Sequence, residues 1–142
     1  MNLFYIYIIN ISVILAAVGI HYEVLYRLSI TMPKLPIRYR YRVIVGVIGA
    51  FIAHSVEVWL FAFAYVFVIS TGHFGGIQGI QDPTLMDCVY FSFVNYTTLG
   101  YGDITPHGLV RFTAGLEALT GLLLIAWTAS FMYYEIRKYW EA

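Results

Sequence analysis

The chain has 142 residues, of which 61% are hydrophobic and 11% charged, and its eight basic and eight acidic residues cancel. Soluble domains are usually about 25% charged, so a chain this short and apolar needs lipid to cover part of its surface. The zero net charge gives no reason to expect a nucleic-acid partner, and the single cysteine, Cys88, excludes an intrachain disulfide or a cysteine metal cluster.

Three apolar segments are long enough to cross a bilayer, which takes about 20 apolar residues in a helix. They are residues 3–21, 43–71 and 109–134. The first segment lacks the basic start and the cleavage site of a signal peptide. We therefore expect a retained helix and predict an all-α membrane protein with three transmembrane helices.

The basic residues are distributed unevenly along the chain. Seven of the eight fall between the first and second segments or after the third: Arg27, Lys34, Arg38, Arg40, Arg42, Arg137 and Lys138. Cytoplasmic loops carry an excess of lysine and arginine. The pattern predicts a multi-pass protein of the cell membrane with its amino terminus outside and its carboxyl terminus in the cytoplasm. Residues 1–42 form the first helix and a basic cytoplasmic linker, and residues 43–142 form a second unit.

The stretch between the second and third segments begins with glycines and ends in a short helix-like run. Residues 72–83 contain four glycines and suggest a flexible outer rim. Pro83, with Thr84 and Asp87 spaced as a capping pair, marks a helix start. A helix over 83–97 is too short to span the membrane, so we expect a re-entrant half-helix, which persists at membrane depth only if protein or water surrounds it.

The next run reads Thr98-Leu99-Gly100-Tyr101-Gly102. Glycine adopts backbone dihedral angles that are closed to other residues. Alternating glycines with larger residues lets successive carbonyls point the same way, whereas they alternate in an ordinary strand. Several copies around an axis would give stacked rings of oxygens that replace the hydration shell of a monovalent cation.

This run, within residues 95–106, resembles the selectivity filter of potassium channels, whose usual form is Thr-Val/Ile-Gly-Tyr/Phe-Gly-Asp; Leu99 is the one departure. The resemblance, to the pore-loop family with a two-transmembrane pore domain, covers roughly residues 43–134 and leaves the first helix as an addition on the lipid-facing perimeter. It implies an outer helix 43–71, a pore helix 83–97, a filter 98–103 and an inner helix 109–134. It also implies a homotetramer in the bilayer that conducts K⁺, with no cofactor and no enzymatic activity.

The resemblance assigns roles to the residues of the filter. The carbonyls of Thr98, Leu99, Gly100 and Tyr101, with the Thr98 hydroxyl, would bind K⁺, and Gly102 completes the run. The Tyr101 ring would pack against aromatics of the short helix. The available candidates are Tyr90, Phe91 and Phe93.

Three further residues are expected to support the filter: Thr97, Asp103 and Glu117. In some relatives a glutamate on the short helix holds the aspartate that follows the filter. Val94 stands near that position here, so we expect Asp103 to be anchored differently.

The third segment is expected to line the ion path. Gly121 lies where relatives keep a hinge glycine, although Gly115 and Gly121 equally suit close helix packing. Residues with helical spacing share one face beyond it, and the resemblance places that face along a water-filled cavity with Tyr133 near a lower gate. The face comprises Leu122, Ile125, Ala126, Ala129, Ser130 and Tyr133.

Three ionisable residues lie at membrane depth, where they are costly unless they face protein or water: His54, Glu57 and Glu117. We expect Glu117 to hydrogen-bond behind the filter and to make permeation sensitive to pH, a purely structural buried network being the alternative. His54 and Glu57 can touch at i, i+3. Two ligands are too few for a metal site, so we do not expect one there.

The sequence thus predicts a potassium-selective channel subunit. A weakly selective or nonselective cation channel is one alternative, motivated by Leu99 and by the missing acidic partner of Asp103. A non-conducting membrane subunit that regulates a partner is another.

Overall fold

The structure, a computed structural model, describes residues 2–140 as four α-helices and a two-stranded antiparallel sheet. The ends of the two predicted units, residues 1 and 141–142, lie outside the described residues. In chain order the elements are α1 (Asn2–Thr31), α2 (Tyr39–Ser70), β1 (Gly75–Gln78), α3 (Leu85–Tyr96), β2 (Thr105–Gly108) and α4 (Val110–Trp140), with a short 3₁₀ turn at Met32–Lys34 after α1.

Three of these helices, α1, α2 and α4, are long and apolar enough to cross a membrane. The all-α fold with three membrane-length helices is therefore confirmed, while the tetramer stays a prediction. Each of α1 and α3 packs against both α2 and α4. The perimeter position expected for α1 concerns an assembly and also remains a prediction.

Two helices extend beyond their predicted ends. The first segment was expected to end at residue 21, but α1 continues to Thr31 and includes Arg27, which was assigned to the linker. Glu23 and Arg27 pair at i, i+4 with 2.6 Å between Oε1 and Nε, and no proline precedes Pro33. A charged residue ends an apolar run, but it does not by itself end a helix. For the same reason α4 continues past residue 134 to Trp140.

The glycine-rich segment contains a strand rather than only a flexible rim. β1 pairs antiparallel with β2, with Gly75 opposite Gly108 and Gln78 opposite Thr105. Gly75 has φ +99°, and a Cβ placed there would lie 2.3 Å from the carbonyl oxygen of His107. Glycine is needed at this position because two backbones approach closely. This two-stranded sheet ties the chain before α3 to the chain that leads into α4.

Helix α3 begins at the predicted capping pair. The Asp87 backbone N–H donates to Thr84 Oγ1 at 3.3 Å, and the Thr84 N–H donates to Asp87 Oδ2 at 2.8 Å. Hydrogen bonds from Thr84 also lower the pKa of the Asp87 carboxyl. The helix has 12 residues, so at about 1.5 Å per residue it is too short to span a bilayer.

The core lies where α3 packs on α2. Its largest buried side chains include Phe61 and Tyr65 of α2 and Phe91 and Tyr96 of α3. The rings of Tyr65 and Phe91 meet edge to face at 4.9 Å between centroids, a favourable aromatic geometry. Neighbouring helices thus cover one side of α3 and hold its carboxyl end in place.

Candidate functional site

The backbone that follows α3 alternates in handedness. The dihedral angle φ is +58° at Thr98, +57° at Gly100 and +79° at Gly102, whereas Leu99 and Tyr101 are not in the left-handed region. Left-handed φ is common for glycine but a genuine outlier for a β-branched residue such as threonine. Strain of this kind persists only where the surrounding structure determines it, and it clusters at functional sites.

The carboxyl end of α3 holds this segment through hydrogen bonds. The carbonyl of Val94 accepts from the N–H groups of Leu99 at 3.0 Å and Gly100 at 3.3 Å. The Thr97 hydroxyl donates to the Phe93 carbonyl at 2.7 Å. The last carbonyls of a helix lack intrahelical donors. The predicted filter run therefore supplies the cap of α3, whereas the role of Thr97 in supporting the filter stays a prediction.

Residues 97–103 are exposed on the single chain. The large apolar side chains of Leu99 and Tyr101 are 56% and 68% exposed. They border a groove of about 240 Å³ that is also lined by Tyr90 and Phe93. Phe91, one of three residues expected to surround Tyr101, instead points into the core against Tyr65. That expectation is wrong because Phe91 lies on the buried face of α3.

Asp103 is anchored by a phenol. Tyr90 Oη donates to Asp103 Oδ2 at 2.8 Å, and this hydrogen bond raises the pKa of the Tyr90 hydroxyl. The expectation that Asp103 is held differently when Val94 replaces an acid is consistent with this contact. Sequence reasoning named Tyr90 only as a packing residue, since a pair 13 positions apart across a loop has no local signal.

Glu117 lies behind α3, fully buried. Its carboxylate accepts hydrogen bonds from Ser92 Oγ of α3 and from Tyr65 Oη of α2. The Ser92 hydroxyl also lies 2.8 Å from the carbonyl oxygen of Val58. One carboxylate of α4 thus contacts both α2 and α3. Sequence reasoning missed Ser92 and Tyr65, which resemble ordinary residues of a buried helix face.

The predicted hinge and cavity residues lie along α4, which is one helix from Val110 to Trp140. A Cβ at Gly121 would lie 2.2 Å from the carbonyl oxygen of Tyr96. The structure therefore supports the close-packing alternative for Gly121, and bending there stays a prediction. Ile125, Ala129 and Tyr133 are exposed on the single chain, as an expected cavity face requires.

The His54 and Glu57 pair gains a third residue. His21 of α1 is fully buried, and its Nδ1 lies 2.8 Å from Glu57 Oε1. His54 Nδ1 lies 3.2 Å from Glu57 Oε2. The expectation that only two ligands meet here is therefore wrong. No local pattern indicates this contact, because His21 is 36 residues from Glu57 and on another helix.

Comparison with known proteins places the chain among membrane channels. The sequence model of a family described as "Ion channel" matches residues 43–137. A curated relative, Protein LctB of Geobacillus stearothermophilus, is 33% identical over 72 residues, which cover 46% of this chain and 54% of that protein. The chain thus spans about half the length of this relative. No solved structure matches the chain significantly.

Proposed function

The chain belongs to the ion channel family whose model matches residues 43–137, and on that premise we propose that it is one subunit of a potassium-selective channel. The observation that supports this most directly is the alternation of φ at Thr98, Gly100 and Gly102, directly after a half-length helix. Alternation of this kind suits a backbone that offers successive carbonyls to one ion path. The carbonyls of residues 98–101 are the proposed K⁺ ligands.

The proposed channel is a homotetramer in the bilayer. Each chain carries one copy of the filter run, so a closed ring of carbonyls needs several chains. Leu99 and Tyr101 are exposed beside an apolar groove on the single chain, and a neighbouring subunit would cover them. Large exposed apolar patches commonly mark such interfaces.

Electrostatics favours a cation at this position. The carboxyl end of a helix carries roughly half a negative charge, and α3 ends at Tyr96, next to the filter. Asp103 adds a carboxylate on the far side of the run, held by Tyr90. The two charges lie at opposite ends of the proposed path and would concentrate cations along it.

A nonselective cation channel is the second candidate. Leu99 lacks the β-branch that stiffens valine or isoleucine, and Asp103 is held by a neutral phenol rather than by another acid. Both features would loosen the filter wall. A non-conducting subunit that regulates a partner is the remaining alternative.

The experiment is ion flux through purified protein in liposomes, first under a potassium gradient and then under a sodium gradient. We expect flux of K⁺ alone, blocked by external barium. Gly100→Ala should abolish it or admit Na⁺, because left-handed φ costs a non-glycine residue about 1–2 kcal/mol while no atom lies within 4 Å of the added Cβ. Gly19→Ala, equally free of contacts but in α1, is the matched control.

Other outcomes discriminate among the candidates. Equal flux of K⁺ and Na⁺ would establish the nonselective pore. Silence under both gradients would favour either a closed gate or the regulatory subunit, and Tyr133→Ala separates these. If the cavity face and its lower gate are as proposed, shortening the exposed Tyr133 side chain restores flux.

A further inference from the structure

A second polar site lies in the helix bundle, apart from the filter. It is formed by His21 of α1 with His54 and Glu57 of α2. The side chains of His21 and Glu57 are 0% exposed and that of His54 is 20% exposed. Burying three ionisable groups at membrane depth is costly, and residues so placed are usually functional.

The donor atoms of the three residues converge. One ligand atom from each lies within 4.8 Å of the others. Glu57 has His21 Nδ1 at 2.8 Å from one carboxylate oxygen and His54 Nδ1 at 3.2 Å from the other. In a tetrahedral zinc site with bonds of about 2.0–2.1 Å, neighbouring ligand atoms are about 3.3 Å apart. Small side-chain movements would therefore bring all three donors onto one ion.

The second ring nitrogens of both histidines share one partner. Thr128 Oγ1 of α4 lies 2.9 Å from His54 Nε2 and 3.3 Å from His21 Nε2. Histidines that bind metals through one nitrogen are nearly always oriented by a hydrogen bond at the other. Thr128 is placed to orient both rings with their Nδ1 atoms toward Glu57.

Counting hydrogens shows that the cluster has room for one more positive charge. Its six polar contacts are His21–Glu57, His54–Glu57, Tyr96–Glu57, His54–Tyr96, His54–Thr128 and His21–Thr128. With Glu57 ionised, two neutral imidazoles and two hydroxyls supply one hydrogen each. Four hydrogens cannot serve six contacts, and a buried carboxylate requires a compensating charge. A bound cation supplies that charge and takes the place of the contacts that lack a hydrogen.

We propose that His21, His54 and Glu57 form a binding site for a divalent transition metal such as Zn²⁺. Two imidazoles and a carboxylate suit zinc and its borderline neighbours, whereas Mg²⁺ and Ca²⁺ prefer oxygen alone. The Tyr96 hydroxyl, 2.8 Å from His54 Nδ1, or a water molecule supplies the fourth position. The metal ion would take the place of the hydrogen atoms that lie between these side chains in the metal-free cluster.

The site connects the added helix to the filter. The metal would fasten α1 to α2 beside Tyr96, the last residue of α3, whose hydroxyl contacts both His54 and Glu57. This consequence rests on the proposed channel function. Metal binding would then change ion flux, because the chain segment that begins at Thr97 follows Tyr96 directly. Binding itself does not depend on conduction, so the two proposals can fail separately.

The test is Zn²⁺ binding to purified full-length protein in detergent after removal of metal with a chelator. Isothermal titration should give one Zn²⁺ per chain. His21→Gln, which keeps a polar side chain of similar reach, should weaken binding by on the order of 100-fold, at least the loss typical of a supporting residue. The control is the double variant His73→Gln with His107→Gln, because these two histidines are exposed, one just before β1 and the other in β2.

Two further measurements show whether a loss of binding comes from the missing ligand or from a misfolded variant. Zn²⁺ should raise Tm of the wild type, since a ligand of the native state stabilises it, and should leave Tm of His21→Gln unchanged. Co²⁺ in the site should show the intense visible absorption of tetrahedral coordination. The absence of saturable Zn²⁺ binding by folded wild type, or loss of binding in the exposed-histidine control but not in His21→Gln, would overturn the proposal.

Discussion

Tyr90 Oη donates a hydrogen bond of 2.8 Å to Oδ2 of Asp103 and so joins α3 to the residue that follows the filter run 98–102. The two residues lie 13 positions apart, on opposite sides of the segment that carries the left-handed dihedral angles. Val94, on the same helix, is apolar and buried and cannot bond to Asp103 through its side chain. In the described part of α3, the group that holds Asp103 is the phenol of Tyr90. The contact holds the far end of the run to the helix whose last turn holds its start through the Val94 carbonyl.

Removing the Tyr90 hydroxyl should destabilise the run without disturbing the core. In Tyr90→Phe the ring remains but the hydrogen bond is lost, so we expect sustained K⁺ flux in liposomes to fall several-fold. Tyr26→Phe is the control, because Tyr26 is an exposed tyrosine of α1. Flux that is equal in Tyr90→Phe and in wild type would show that Asp103 does not need this anchor.

The same contact predicts a dependence on alkaline pH. The bond to Asp103 raises the pKa of Tyr90 above its usual value, which is about 10. A group with a raised folded-state pKa contributes stability that is complete below the unfolded pKa and is lost as pH rises through the folded one. The difference in Tm between wild type and Tyr90→Phe should therefore be constant between about pH 6 and pH 9 and shrink above about pH 10. Shrinkage already below pH 9 would contradict this assignment.

Glu117→Gln should lower both stability and the pH response of flux. The Glu117 carboxylate accepts from Ser92 and Tyr65, whereas the amide of glutamine brings two N–H hydrogens, of which Ser92 Oγ can accept one, so that one buried donor is left unpaired. That costs about 1–3 kcal/mol, measurable by chemical unfolding. Glu23→Gln, on the exposed part of α1, is the control. Unchanged conductance and pH response in Glu117→Gln tetramers would leave Glu117 a purely structural role.

Alanine at two glycines of α4 should have opposite effects. In Gly121→Ala the new methyl would lie 2.2 Å from the Tyr96 carbonyl oxygen, a backbone atom that cannot turn away, so we expect destabilisation of about 1–3 kcal/mol. In Gly115→Ala nothing lies within 4 Å, and the gain in helix propensity is about 1 kcal/mol. Thermal unfolding of the two variants checks this. Tolerance of Gly121→Ala would contradict the close packing of α4 against Tyr96.

Local features of this chain could be predicted from its sequence because their causes are local. A run of about 20 apolar residues indicates a membrane helix wherever it occurs, and all three were found. The Thr84 and Asp87 capping pair was found because its two residues are three apart. The filter run was recognisable because its glycines are needed for backbone dihedral angles, which depend little on distant residues. Helix ends were predicted less well, since charged residues stop an apolar run without stopping a helix.

Which distant polar groups meet is visible only once the helices are packed together. The sequence placed Glu57 and Glu117 at membrane depth, but it did not show that His21 reaches the first or that Ser92 and Tyr65 reach the second. Buried polar groups must find partners, and that requirement says nothing about which partners they find. Those partners depend on how α1, α2, α3 and α4 rotate and pack against one another. The membrane helices and the proposed ion path follow from local sequence, whereas the contacts that hold them together follow from helix packing.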